Sequence, residues 1–279
     1  MMATEGPVHL HLVSDSTGET IHQVARACLV QFEGVKAIEH TWFLVRTPAH
    51  VDKVIAGIEA HPGPVLVTLV DPHLHSKLEA AGRALKVPVI SVLDPVLGAL
   101  HHYLGKKARG RPGRQHEMDA AYFSRIEAMQ FTLMHDDGQH LHDIDLADIV
   151  LVGVSRTSKT PTCLYIANRG FKVANVPLVP GISLPRELTT ATHPLIVGLT
   201  NDPNRLVQIR RNRLLMLNQG SESDYINLDE VRREVTEARR LFERQGWPVI
   251  DVTRRSIEET ATEILQIYQD RKDSDIDRD

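Results

Sequence analysis

The chain has 279 residues, a formal charge of −4 at pH 7, 42% hydrophobic and 24% charged residues, a length and balance ordinary for one large or two modest globular domains. The net negative charge offers nucleic acid no electrostatic attraction, no apolar run approaches the roughly 20 residues that span a bilayer, and Met1–Pro7 lack the basic and apolar segments of a secretory signal. The two cysteines, Cys28 and Cys163, form no CxxC, so free thiols and a cytoplasmic location are expected.

In chain order, Val8–Val13 reads as a strand and Gly18–Phe32 as a helix after a polar turn. Trp42–Val45 reads as a short second strand. His50–Ala60 is helical, with Val51, Val54, Ile55 and Ile58 spaced onto one face. Pro64–Val70 is a buried strand, Lys77–Leu85 a helix and Pro88–Leu93 a strand. Such alternation predicts a mostly parallel sheet covered by helices. Gly105–Arg114 (GKKARGRPGR) then breaks the pattern and reads as a flexible connection, with a nucleic-acid patch or a phosphate-attracting role as alternatives.

A second α/β stretch follows: strand Ile149–Val152, helix Pro161–Asn168, and strands Lys172–Val176 and Leu195–Leu199. Val231, Val235, Ala238 and Phe242 form an amphipathic stripe, read as core packing. Val249–Val252 is a last strand, and Ser256 caps a final helix that runs through Tyr268. The charged tail Asp270–Asp279 is expected to fray. The expected organisation is an α/β protein: a parallel-sheet N-terminal domain over 1–104, a basic linker and connecting helix over 105–145, and a P-loop-kinase-like α/β domain over 146–279.

The strongest local signal is LVGVSRTSKTPT, residues 151–162. The pattern GxxxxGK[ST] between strand and helix cradles phosphates. Here Gly153, Val154, Ser155, Arg156, Thr157, Ser158, Lys159 and Thr160 keep its spacing, with Ser158 in place of the second glycine. Gly153 permits a tight turn off the strand without a Cβ clash. Backbone N–H groups and the helix N-terminus then face an anion. Lys159 neutralises phosphate charge, the Thr160 hydroxyl meets Mg²⁺, and Arg156 stabilises a transferring phosphoryl group. Ser158 must adopt a left-handed conformation or bend the loop, and a lysine-bearing N-cap with Pro161 in the first turn is the plain alternative.

Other segments keep two readings each. SDSTGET (14–20) is a second candidate anion site or simply a capped helix start, with Asp15 and Glu19 opposing a phosphate. The HLH pairs His9–His11, His73–His75 and His140–His142 suit zinc only if each lies on a strand, and no third ligand stands at an obvious spacing. HDDG (135–138) is a turn, or it presents Asp136 or Asp137 as base or magnesium ligand. TNDP (200–203) is a helix cap, or it turns Asp202 toward the phosphates from the carboxyl end of a strand. Arg205, Arg210, Arg211 and Arg213 form a solvated helix face or a phosphate clamp.

Taken in order, SDSTGET, RPGRQHEMDAAYFSRIEAMQF, HDDG, GVSRTSKTPT, VANVPLVP and GLTNDP resemble the pyruvate, phosphate dikinase regulatory protein family over about residues 8–270. The resemblance implies a bifunctional enzyme. It would transfer phosphate from ADP to a threonine of the dikinase, and remove it with inorganic phosphate to release pyrophosphate. It places the nucleotide on Gly153–Thr160 and assigns no role to the HDDG aspartates; the chemistry of phosphoryl transfer itself leads us to expect Lys159 and Arg156 to offset developing charge, with Asp136 or Asp202 orienting the hydroxyl or binding Mg²⁺. The resemblance also suggests a homodimer. A sister branch acting on phosphoenolpyruvate synthase carries Cys-Gly where this chain has Thr157-Ser158, which favours the dikinase. A P-loop small-molecule kinase and a non-catalytic nucleotide sensor are the remaining alternatives.

Overall fold

The computed structural model describes residues 7–108, 110, 112–113, 120–216 and 224–276. The chain divides into two compact units, Met1–Glu117 and Met118–Asp279, each built on a four-stranded parallel sheet. Among the described residues no helix is long and apolar enough to cross a membrane.

In the first unit β1 (Val8–Ser14), β2 (Ala37–Trp42), β3 (Val65–Thr68) and β4 (Val89–Ser91) lie in the order β2-β1-β3-β4. The helices α1 (Glu19–Leu29), α2 (Pro48–Ala60), α3 (Pro72–Leu85) and α4 (Asp94–Leu104) connect or follow them. Val51, Val54 and Ile58 of α2 and Leu74 and Leu78 of α3 pack on Val13, Val65 and Val67. On the other face Ile21 and Ala25 of α1 cover Leu10 and Leu12. Thr47 and Asp71 cap α2 and α3, and in both a proline opens the first turn, where its missing N–H costs nothing.

Three expectations are corrected here. The second strand is Ala37–Trp42 rather than Trp42–Val45. Leu44 has φ of 56°, a left-handed conformation that ends the strand, although Leu44 N and Val45 N still donate to Ser16 O and Ser14 O. The helix α4 was not anticipated; none of its residues is buried, so its sequence shows no core stripe. The third correction is the tail, where the last helix continues to Ile276 instead of fraying at Asp270.

In the second unit β5 (Ile149–Gly153), β6 (Val173–Pro177), β7 (Leu195–Thr200) and β8 (Val249–Asp251) lie in the order β6-β5-β7-β8. The helices are α5 (Ala120–Met134), α6 (Lys159–Ala167), α7 (Arg186–Thr190), α8 (Pro203–Met216), α9 (Leu228–Gln245) and α10 (Ile257–Ile276). β5 is apolar throughout because both of its faces are covered. Val150 and Val152 meet Phe131 of α5, Leu206 of α8 and the α9 stripe Val231, Val235, Ala238 and Phe242. Ile149 and Leu151 meet Cys163 and Ile166 of α6 and Ala261, Ile264 and Tyr268 of α10. At the start of α10 Ser256 and Glu259 cap each other reciprocally, with Glu259 N donating to Ser256 Oγ at 3.1 Å and Ser256 N to Glu259 Oε2 at 2.8 Å.

Both sheets have the same topology. The chain leaves the central strand to one side, returns, and continues on the other. A crevice therefore opens at the carboxyl ends of β1 and β3, and another at those of β5 and β7, the positions where open parallel sheets take ligands.

Candidate functional site

The loop 153–160 leaves β5 at the second crevice. Gly153 is required by close approach: a Cβ there would lie 2.7 Å from Leu199 O and 2.8 Å from Thr157 Oγ1. Thr157 is fully buried, and its hydroxyl donates to Val154 O at 3.0 Å, pinning the loop from inside. Ser158 takes the left-handed conformation, φ 60° and ψ 24°, that a glycine would adopt freely. It is the N-cap of α6 with no side-chain bond to the helix, which leaves the first-turn N–H groups without a side-chain cap.

Lys159 opens α6 and is buried, 6% exposed. Its Nζ donates to Gly153 O at 3.0 Å and Val154 O at 3.1 Å, so the ammonium sits within the loop it serves. Burial lowers its pKa to about 8, with Asp137 the first of the nearby charges that oppose the fall. Thr160 Oγ1 donates to Asp136 Oδ1 at 2.8 Å, and Asn175 Nδ2 on β6 donates to the same oxygen. Asp137 N in turn donates to Asn175 Oδ1 at 3.1 Å. Asn175, 1% exposed, thus locks the HDDG turn against the loop 153–160. That turn is a short 3-10 segment in which Asp137 has φ of 50°.

The HDDG turn is also held from behind. His135 is 1% exposed; its Nδ1 lies 2.7 Å from Phe131 O and its Nε2 2.7 Å from Asp143 Oδ1, and the ring stacks on Phe131. The hydrogen bond from His135 holds the Asp143 carboxyl below its ordinary range.

On the opposite flank, Arg156 has φ of 71° and its Nε donates to Tyr225 OH at 3.3 Å, while Ser155 Oγ lies 3.1 Å from the same hydroxyl. Beneath them Arg210 of α8 is 1% exposed and pairs with Glu234 of α9, 2.6 Å from Nη2 to Oε2. Its guanidinium also donates to Ser155 O and Tyr225 O and covers the Tyr225 ring at 4.6 Å. Arg210 therefore acts on the loop backbone from the core, while Arg205, Arg211 and Arg213 are exposed.

These groups border a cavity of about 570 Å³ lined by Asp137, Ser155, Arg156, Lys159, Thr160 and Pro161, with Leu178 and Val179 on its far wall. A second hollow of about 250 Å³ shares Leu178 and Val179 and is lined by Leu184, Ala238 and Leu241, with Glu237 and Arg244. An anion cradle beside an apolar slot suits a phosphorylated aromatic ligand.

Of the residues marked in the sequence, the structure gathers Gly153–Thr160 and Asp136 at one place. Asp202 is not among the residues lining the cavity; its Oδ1 accepts from Arg205 N at 3.0 Å, as the cap of α8. In the same turn Asn201 is 3% exposed, and its buried Oδ1 has no partner among the described residues. Sequence reasoning gave no role to Asn175, Tyr225 or Glu234. Arg210 carried a signal, since it falls four residues after Leu206 and three after Val207 on the buried side of α8. Cys163 lies under the loop in the apolar core, where burial pushes its thiol pKa up and leaves it unreactive. Of the HLH pairs only His9–His11 lies on a strand; His73–His75 is in α3 and His140–His142 in a 3-10 turn. Among the described residues no group of three or more His, Cys, Asp or Glu is placed to hold a metal ion.

A loop that buries its lysine, pairs its threonine with a carboxylate and opens on a cavity of this size belongs to a phosphotransferase rather than to a capped helix. Comparison with known proteins agrees. Residues 10–265 match the family described as Kinase/pyrophosphorylase, and the chain belongs to it. Similar proteins from Paramagnetospirillum magneticum (61% identical, covering 94% of this chain and 84% of that one) and Rhizorhabdus wittichii (55% identical, 95% and 96%) bear the name pyruvate, phosphate dikinase regulatory protein. So does one from Rhodospirillum rubrum, 54% identical over 92% of this chain and 94% of its own.

Proposed function

We propose that this chain transfers the β-phosphoryl group of ADP to a threonine of pyruvate, phosphate dikinase, and in the other direction removes it with inorganic phosphate to form pyrophosphate. The observation that carries this reading is the single cavity on which Lys159, Arg156, Thr160 and Asp137 converge. In both directions a phosphoryl group passes in line between two oxygens, so one anion pocket serves both.

In this reading Lys159 exchanges its two carbonyl partners for phosphate oxygens, and Arg156 offsets charge on the group in transit. Asp136 is committed to Thr160 and Asn175. Asp137 lines the cavity with no side-chain partner among the described residues, so it is the carboxylate available to accept the threonine proton. The Thr160 hydroxyl and the Asp136 carboxylate are hard oxygen donors and fit Mg²⁺, which when bound neutralises charge on the nucleotide phosphates. The apolar slot beside Leu178 and Val179 takes the adenosine. Residues 146–279 act as the nucleotide-binding domain, and the enzyme works in the cytoplasm beside its protein substrate.

The test incubates the purified protein with phosphorylated dikinase, ADP and Mg²⁺ and follows phosphothreonine. Transfer to the dikinase is expected, and Lys159→Met should abolish both directions while leaving the fold intact. Retention of either activity by that variant would break the single-site reading. Turnover on phosphoenolpyruvate synthase without any on the dikinase would reassign the target.

A further inference from the structure

We propose that Tyr225 is a positioning residue for phosphoryl transfer: its hydroxyl holds the Arg156 guanidinium by Nε and leaves the two Nη groups to meet the phosphoryl group in transit. The proposal rests on the charge-offsetting role given above to Arg156. Arg156 lines the cavity over the loop 153–160, yet it is exposed. An unrestrained arginine there would sample many rotamers, and a charge that must find its place at each turnover stabilises a transition state poorly. Tyr225 removes that freedom. Its phenol oxygen accepts from Arg156 Nε at 3.3 Å and lies 3.1 Å from Ser155 Oγ. Among the described residues it is the only side-chain partner of the Arg156 guanidinium.

The chemistry of that partner matters. A carboxylate in its place would bind Nε more tightly, but it would cancel the positive charge that phosphate oxygens need. A phenol orients the guanidinium and leaves its charge intact. A guanidinium has two edges that can each grip a pair of oxygens. With Nε taken, the edge formed by the two Nη groups is the one that remains for the phosphoryl oxygens.

Tyr225 is itself fixed from the core. It belongs to the short 3-10 turn Asp224–Ile226. Arg210, 1% exposed, donates from Nη1 to Tyr225 O at 3.0 Å, and its guanidinium carbon lies 4.6 Å from the centre of the Tyr225 ring. Arg210 also donates from Nη2 to Ser155 O at 3.3 Å and pairs with Glu234 at 2.6 Å. One buried cation thus binds the loop backbone to both the backbone and the ring of Tyr225. The loop conformation agrees: Arg156 has φ of 71°, a left-handed state that a residue with a Cβ keeps only where its neighbours over-determine it. A chain of contacts therefore runs from Glu234 on α9 through Arg210 and Tyr225 to Arg156 at the cavity, and its last link is a single hydroxyl.

Tyr225→Phe deletes that hydroxyl while keeping the ring under Arg210 and the carbonyl on Arg210 Nη1, so the melting temperature should be nearly unchanged. Full-length protein is assayed in both directions on the protein substrate that the native enzyme turns over. In Tyr225→Phe, kcat should fall about tenfold, the effect of one lost hydrogen bond to a charged group, with KM for ADP unchanged. Arg156→Ala alone should lower kcat about a hundredfold. Adding Tyr225→Phe to it should cost nothing further, because the hydroxyl acts only through the arginine. A second measurement needs no substrate. In ¹⁵N-labelled native protein the Arg156 Nε–H signal should exchange slowly with water, and in Tyr225→Phe it should exchange as fast as those of exposed arginines. Native kcat in Tyr225→Phe, a change in KM alone, a further loss on top of Arg156→Ala, or exchange that the substitution leaves untouched would overturn the proposal. Native kcat in Arg156→Ala is a separate failure, since it would remove the role of Arg156 on which the proposal rests.

Discussion

Lys159 supplies a measurable consequence of its own burial. In the free protein its pKa is lowered to about 8, so the ammonium is about nine-tenths formed at pH 7, about half at pH 8 and about one-tenth at pH 9. Only the charged form attracts the nucleotide phosphates, and those phosphates will raise the pKa again once bound. ADP affinity should then fall about tenfold from pH 7 to pH 9, near 1.4 kcal/mol, over a range in which the nucleotide itself no longer changes charge. At pH 8 binding should take up about half a proton. Calorimetry in two buffers of different ionisation enthalpy measures both quantities. Lys159→Arg, with a side chain that stays charged throughout, should bind with a flat profile. An ADP affinity independent of pH between 7 and 9, or proton release on binding, would refute the assignment of a depressed pKa to a phosphate-contacting lysine.

Four further outcomes follow from the same geometry. Removing the buried charge relieves a desolvation cost of about 3 kcal/mol, of which losing two carbonyl partners returns about 1–2; Lys159→Met should therefore melt higher at pH 7 despite being inactive, and a lower melting temperature would contradict this. The sign follows from the depressed folded pKa: the lysine's contribution to stability is complete only above its unfolded value near 10.5 and is lost as pH falls toward 8. Ser158→Gly removes a left-handed non-glycine residue worth about 1–2 kcal/mol and adds chain entropy, for a net gain of about 0.5–1 kcal/mol in denaturant unfolding. Arg210→Met leaves Glu234 uncompensated and should cost about 3–5 kcal/mol, with a loss under about 1 kcal/mol telling against a buried pair. In the first unit, burial depresses His11 and His40, whose rings stack on each other while His40 also stacks on His61 and His61 on His9. Their contribution to stability is present above pH 6.5 and lost as pH falls below it, so thermal melts should drop on acidification and His11→Gln should flatten that slope.

The sequence reveals features that repeat a local rule. The strand running into Gly153, the spacing to Lys159 and Thr160, and the α9 stripe at Val231, Val235, Ala238 and Phe242 each follow from neighbours a few residues away, and each is found where it was expected. What stayed hidden depends on distant partners. Asp136 and Asp137 are indistinguishable in a string; Asn175, 39 residues further along, decides that one is tied to Thr160 and the other faces the cavity. Asp202 satisfies two rules at once, and its hydrogen bond from Arg205 N selects the cap. Arg210 looks like one of several surface arginines until Glu234 is placed against it. The β2 strand was missed because it is an edge, where Glu39 and exposed Ile38 blur the apolar signal.

The last helix fixes when, during its own synthesis, this enzyme becomes competent. Ala261, Ile264 and Tyr268 of α10 complete the core beneath β5, and Tyr268 OH donates to Asp148 at 2.9 Å across 120 residues of sequence. A nascent chain stalled before α10 emerges from the ribosome has the segment 153–160 but no floor to fold it on, whereas the first unit already holds its whole sheet. The cavity over residues 153–160 is therefore completed only once α10 has emerged, and a fragment stalled before that point cannot act on a passing substrate. Truncation after Ser256 should give the same arrested state, with a folded first unit and no ADP binding.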